Sequence, residues 1–107
     1  LFPLGRPRSL DFIDDIAHNI TVRPEKLLEK ARRNPAGLRF SEFCKLAEAF
    51  GFALQRQKGS HRIYTLDRLR EIMNFQDDSG KAKAYQVRQL LGCADRNQLS
   101  IGGGKND

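Results

Sequence analysis

The sequence predicts a small α+β domain: helix, three antiparallel strands and helix, with both helices on one face of the sheet and a further short helix in front. Three observations predict it. Phe43, Leu46, Ala47 and Phe50 recur at helical spacing. From Phe52 onward the period drops to two and stays there, with interruptions, as far as Gln76. Ala84, Tyr85, Val87, Leu90 and Leu91 then return to a helical pattern. Helices and strands in this order form two packed layers, so one sheet face and the hairpin tip are left for a ligand.

Each element has its own local reason. Residues 1–20 mix proline, glycine and arginine with Asp11, Asp14 and Asp15, and although Leu10, Phe12, Ile13 and Ile16 fit one amphipathic turn, nothing repeats for long. They read as a flexible arm or a tag-derived or processed segment, without an initiator methionine or a signal-peptide core. Residues 21–36 form a helical extension, Pro24 suiting the first turn and Asn34-Pro35 ending it. The main domain spans 37–95. Ser41 is the expected cap of its first helix and Gly51 the expected stop. Phe52 to Gln57 alternates, Lys58-Gly59-Ser60 reads as a turn, and His61 to Thr65 is β-branched and aromatic enough to pair back as a hairpin. Leu66 to Glu71 is expected as loop and Ile72 to Gln76 as the third strand. Asp77-Asp78-Ser79-Gly80 separates this strand from the last helix, which Gly92 is placed to end. Residues 96–107 read as a polar, mobile tail.

Composition narrows the function classes. The chain of 107 residues has room for one small domain, which excludes a multidomain enzyme. Nineteen lysines and arginines against thirteen acids give a net charge of +6 and a pI near 9.8, which favours polyanionic partners, nucleic acid first. No apolar run approaches a membrane span, so no membrane partner is expected. Cys44 and Cys93 lie in apolar helical contexts without metal-ligand spacing and read as buried reduced thiols. Asp77 and Asp78 adjoin each other in a turn and read as loop solvation, so no metal and no other cofactor is expected.

The chemistry concentrates at Lys58-Gly59-Ser60-His61-Arg62, a basic turn that delivers a histidine onto a strand. Histidine changes charge near neutrality, which suits it to proton transfer under cellular conditions. Lys58 stands three residues ahead of His61 across a glycine that permits close backbone approach to a phosphate, with Arg56 and Arg62 nearby. Lys81 and Lys83 precede the last helix, whose positive dipole end adds to their attraction for phosphate. Ordinary readings stand beside these. A histidine at a strand start is often structural, Gly59-Ser60 is common hairpin chemistry, Lys81 and Lys83 fit a solvated helix start, and Phe40, Phe43, Phe50 and Phe52 belong to the core. Ser60 has no partner that would make it a nucleophile. His18 lies in the arm and has no chemical role in this reading.

The element order is that of the double-stranded-RNA-binding domain, which docks through shape, phosphate and 2′-hydroxyl contacts. The residues carry a more specific resemblance. Phe40-Ser41-Glu42-Phe43-Cys44-Lys45-Leu46, Gly51-Phe52-Ala53-Leu54, Lys58-Gly59-Ser60-His61, Asn74-Phe75-Gln76 and Gly80-Lys81-Ala82-Lys83-Ala84-Tyr85-Gln86-Val87 resemble, in order, the HicA family of bacterial toxins. The resemblance covers about half the chain, and the helix at Pro24 to Arg33 resembles an N-terminal extension of a subgroup. It implies the ribonuclease half of a type II toxin–antitoxin pair, with a dsRBD-like fold, metal-independent cleavage of mRNA, His61 as the family's histidine after Gly-Ser, a HicB-like antitoxin as partner, and a bacterial cytoplasmic setting. Where many members carry a second histidine this chain has Arg62, so the expectation is a single-histidine mechanism. His61 takes the 2′-hydroxyl proton of RNA, while Tyr64, Tyr85, a lysine, and protonated His61 itself where it can face both oxygens, stand as options for the general acid. The alternative is a non-catalytic RNA-binding module in which His61 only donates a hydrogen bond. DNA binding is weaker, because no recognition-helix pair is visible.

Overall fold

A computed structural model describes residues 23–102. The arm at 1–20 and the last five residues lie outside the described residues. The elements are α1 (Pro24–Arg33), a single 3₁₀ turn (Pro35–Gly37), α2 (Phe40–Ala49), β1 (Ala53–Lys58), β2 (His61–Thr65), β3 (Ile72–Gln76) and α3 (Ala84–Arg96). The strands form one antiparallel sheet in the order β1-β2-β3, the α-β-β-β-α fold the sequence predicts, with a helix in front.

Burial explains why α1 belongs to the domain. Leu27 and Ala31, one turn apart, both enter the core cluster that contains Phe43, Leu46, Val87 and Leu90. The Lys30 ammonium reaches the Glu42 carboxylate of α2 at 3.0 Å, and Arg32 pairs with Asp95 of α3 at 2.8 Å. Pro24 opens the helix, while Lys30, Arg32 and Arg33 in its last turn complement the helix dipole.

Helix α2 begins two residues earlier than the Ser41 cap implies. Arg39 is the N-cap, and its backbone N–H donates to Glu42 Oε1 at 2.9 Å, the reach-back half of a capping box that uses the third helical residue. At the other end Gly51 has φ 108°, with Gly51 N–H donating to Glu48 O and Phe52 N–H to Ala47 O, a Schellman stop.

The inner face of the sheet is built by β2 and β3. Phe43 of α2 stacks on Phe75 with ring centroids 4.0 Å apart, and Tyr64 lies 5.3 Å from Phe75. The register sets Leu54, Tyr64 and Met73 side by side on this face, and Gln57, Arg62 and Phe75 beside them. Strand β1 starts and ends one residue later than its alternation suggests, and all six of its residues are exposed. As an edge strand with no buried residue, β1 shows a period-two pattern that reflects pleat without burial. A register shift between Leu54 and Arg56 places a bulge at Gln55.

Three further expectations are corrected. Lys58 pairs with His61 as the last residue of β1, leaving a two-residue Gly59-Ser60 turn with Gly59 at φ 59°, the first central position where type II′ turns take glycine. Helix α3 runs through Gly92 to Arg96, because Cys93 and Ala94 continue its buried face and outweigh the roughly 1 kcal/mol helical cost of a glycine. It ends with Gln98 at φ 54°, Gln98 N–H donating to Asp95 O and Leu99 N–H to Ala94 O. Leu99 and Ile101 then pack on the core and Gly102 N–H donates to Ala49 O, so residues 96–102 are held where the sequence suggested a mobile tail.

Candidate active site

Side-chain alternation decides which basic residues share a surface with His61. The outer face of the sheet carries Lys58, His61 and Gln76 in one cross-strand row and Arg56, Ile63 and Asn74 in the next. Arg56, Lys58, Gly59, Ser60, His61, Ile63 and Asn74 line a hollow of about 410 Å³, the size of a small-ligand site. No carboxylate lines this hollow, so its charge is that of its two cations and of any proton on the imidazole. Ile63 is the one large apolar side chain in its lining.

His61 is exposed at the start of β2, directly after the hairpin turn. Its ring Nδ1 lies 3.2 Å from Asn74 Oδ1, on the neighbouring strand and one diagonal position along. This contact leaves Nε2 as the ring nitrogen not engaged by Asn74. The site is braced from behind. Gln86 in the first turn of α3 accepts the Gln76 N–H at 2.9 Å, and Gln76 is the cross-strand partner of His61. Asp77 N–H donates to Ser60 O at 2.8 Å, which joins the end of β3 to the hairpin turn.

Arg62 does not join this group. It is the neighbour of His61 in sequence, so its side chain leaves the opposite face, where its guanidinium sits 5.3 Å from the centroid of the Phe40 ring and Nη1 lies 3.7 Å from Cys44 Sγ. Among the nearby cations expected to meet a phosphate beside His61, Arg62 is thus turned toward α2. Lys81 and Lys83 lie on the connection from β3 to α3. A tight Asp78-Ser79-Gly80-Lys81 turn, with Ser79 and Gly80 both at positive φ, places them, and Asp78 holds Lys83 at 3.6 Å. They flank the end of the sheet that carries His61 but do not line its hollow.

Tyr64 is removed from the general-acid options. Its ring is fully buried, its hydroxyl donates to Glu48 Oε2 at 3.1 Å, and burial pushes its ionisation well above the usual tyrosine range. Tyr85 is 60% exposed in the first turn of α3, its hydroxyl accepting a bond from Gln86 Nε2. Cys44 and Cys93 are free and buried, and burial raises both thiols, Cys93 to about 11. Among the described residues no group of three or more His, Cys, Asp or Glu side chains is placed to hold a metal ion, and no helix is long and apolar enough to cross a membrane.

The residues that the sequence reading did not single out for a role are Asn74 and Gln86. Asparagine is uncommon in strands, and period-two counting puts Asn74 on the same face as His61, which is the signal that marks it. Nothing local marks Gln86, because its bond to Gln76 joins elements ten residues apart.

No curated protein and no solved structure matches the chain. The family described as the HicA toxin of bacterial toxin–antitoxin systems does match, over residues 40–94, from the first residue of α2 to the last turns of α3. That span covers more than half of the chain and contains the hairpin, His61 and its whole hollow, and the chain belongs to the HicA toxin family.

Proposed function

We propose that this HicA-family chain is a metal-independent endoribonuclease that cleaves mRNA with His61 as its proton-transfer group. The observation that carries the reading is the exposed imidazole in a hollow whose only charged walls are Arg56 and Lys58. RNA brings its own nucleophile. Nε2 of His61 takes the proton of the 2′-hydroxyl, the 2′-oxygen bonds to the adjacent phosphorus, and the bond from phosphorus to the 5′-oxygen breaks. The 5′-oxygen leaves with a proton from solvent, and a 2′,3′-cyclic phosphate remains. Arg56 and Lys58 offset the charge that gathers on the phosphoryl oxygens, and Gly59, Ser60 and the cations Lys81 and Lys83 extend the contact along the strand. General acid–base help of this kind accelerates a reaction by roughly 10²–10⁴-fold.

In this reading a HicB-like antitoxin covers the basic outer face and His61, and the toxin acts in the bacterial cytoplasm when that cover is removed. The alternative is an RNA-binding module that uses the same cations without cleavage. Incubating the protein and His61→Ala with an in vitro transcribed mRNA in EDTA separates the two. Cyclic-phosphate ends that appear with the wild type and vanish in the variant support the ribonuclease. RNA retained by both proteins without new ends establishes the module instead.

A further inference from the structure

The diagonal contact between β2 and β3 assigns a role to a residue that the family match does not explain. We infer that Asn74 is a positioning residue that holds His61 in the tautomer with its proton on Nδ1, so that Nε2 presents its lone pair to the RNA. The inference rests on the ribonuclease reading for its consequence, and on the geometry alone for its physical content.

The argument begins with bonding capacity. A neutral imidazole has one N–H and one lone pair, and the hydrogen bond made by one nitrogen sets the role of the other. Asn74 Oδ1 is an acceptor, and it lies 3.2 Å from Nδ1, so the proton belongs on Nδ1 and Nε2 is left as the base. Asn74 is itself well fixed. Its strand pairs residue by residue with β2, with Ile63 opposite Asn74 and Gln76 opposite His61, and its neighbours Met73 and Phe75 are buried in the core. The amide therefore projects from a strand whose register against β2 and whose buried neighbours place it beside the ring. A neutral acceptor also suits the charge balance. Arg56 and Lys58 are the charged groups that share the hollow, and a carboxylate at position 74 would compete for them with phosphate.

The magnitude follows from the net worth of one exposed neutral hydrogen bond, which corresponds to roughly a three- to tenfold effect. Asn74→Ala is thus expected to lower kcat three- to tenfold on a fluorophore-quencher RNA oligonucleotide while KM stays unchanged, because the amide carries no charge for phosphate. Asn74→Asp retains an acceptor for Nδ1–H, adds a negative charge beside the imidazolium, and moves the acidic limb of the pH–rate profile to higher pH. Asn74 is exposed and its side chain is outside the core, so both variants keep the fold.

The deciding experiment reads the tautomer directly, by long-range ¹H–¹⁵N spectra of the ¹⁵N-labelled full chain, with His61→Ala used to assign the two histidines. The expected result is a His61 ring protonated at Nδ1 in the wild type and shifted toward Nε2–H in Asn74→Ala, together with the kcat loss. A wild-type ring protonated at Nε2, an unchanged tautomer in Asn74→Ala, or an altered tautomer with unchanged kcat each overturns the inference. Persistence of cleavage in His61→Ala overturns the ribonuclease reading separately.

Discussion

Replacing Lys30 by alanine tests whether α1 is a working part of the domain or an appendage. The Lys30 ammonium contacts both Glu42 oxygens, at 3.0 and 3.2 Å, across the α1–α2 junction. The carboxylate side chain is only 2% exposed, whereas the lysine is 38% exposed. An exposed pair contributes up to about 1 kcal/mol, and breaking a fully buried one costs about 3–5 kcal/mol. This pair is buried on one side, and the Arg39 N–H bond to Glu42 survives the substitution, which places the expected loss near 2 kcal/mol. For a domain of this size that lowers Tm by roughly 8–16 °C. Urea denaturation of wild type, Lys30→Ala, Glu42→Gln and the double variant measures both the loss and the coupling, which should reach about 1 kcal/mol. A loss below about 0.5 kcal/mol with no coupling would refute the argument, since α1 would then be held by the burial of Leu27 and Ala31 and by the Arg32–Asp95 pair, without help from Lys30.

Three more outcomes are expected. Arg62→Ala should lower stability by about 1 kcal/mol through the lost contact with the Phe40 ring, yet leave RNA cleavage within about twofold, because the guanidinium faces away from His61; a large kcat loss at unchanged stability would contradict the placement. Gly59→Ala meets no atom within 4 Å but must keep φ 59°, so it should cost about 1 kcal/mol by backbone strain and reduce cleavage through the displaced turn, measured by thermal melts and end mapping. Alkaline pH should destabilise the fold in a defined window. Burial raises the Cys93 thiol from 9.0 to about 11, so the folded state keeps a proton that the unfolded chain releases, and stability present below about pH 9 declines as pH rises through 11. The buried Cys44 thiol, also raised by burial, adds to the decline and the buried hydroxyl of Tyr64 extends it upward, and Cys93→Ala should make it shallower in urea melts taken from pH 8 to pH 11.

The match of pattern to fold was strongest where one face of an element is buried. Phe43, Leu46, Ala47 and Phe50 mark α2 because the helical period must align its apolar side chains with a single core, and Met73 and Phe75 mark β3 for the same reason at period two. Local conformational demand made Gly51 and Gly59 equally legible, since both require positive φ. The same local logic misplaced the end of α3 at Gly92, where a continuing buried face at Cys93 and Ala94 decides against the glycine.

His61 and the neighbouring cations were visible as a basic turn, and from that turn alone the sequence determined a candidate proton-transfer group with phosphate-binding charge beside it. Which cations accompany it was a matter of tertiary structure. Arg62 is adjacent in sequence and lies on the other face, while Arg56 is five residues away and lines the hollow, because strand pleating separates neighbours and pairing register reunites distant residues. The contacts of His61 with Asn74, of Gln76 with Gln86 and of Lys30 with Glu42 likewise exist only once the chain has folded back, since each joins groups on different elements through a geometry that no local spacing encodes.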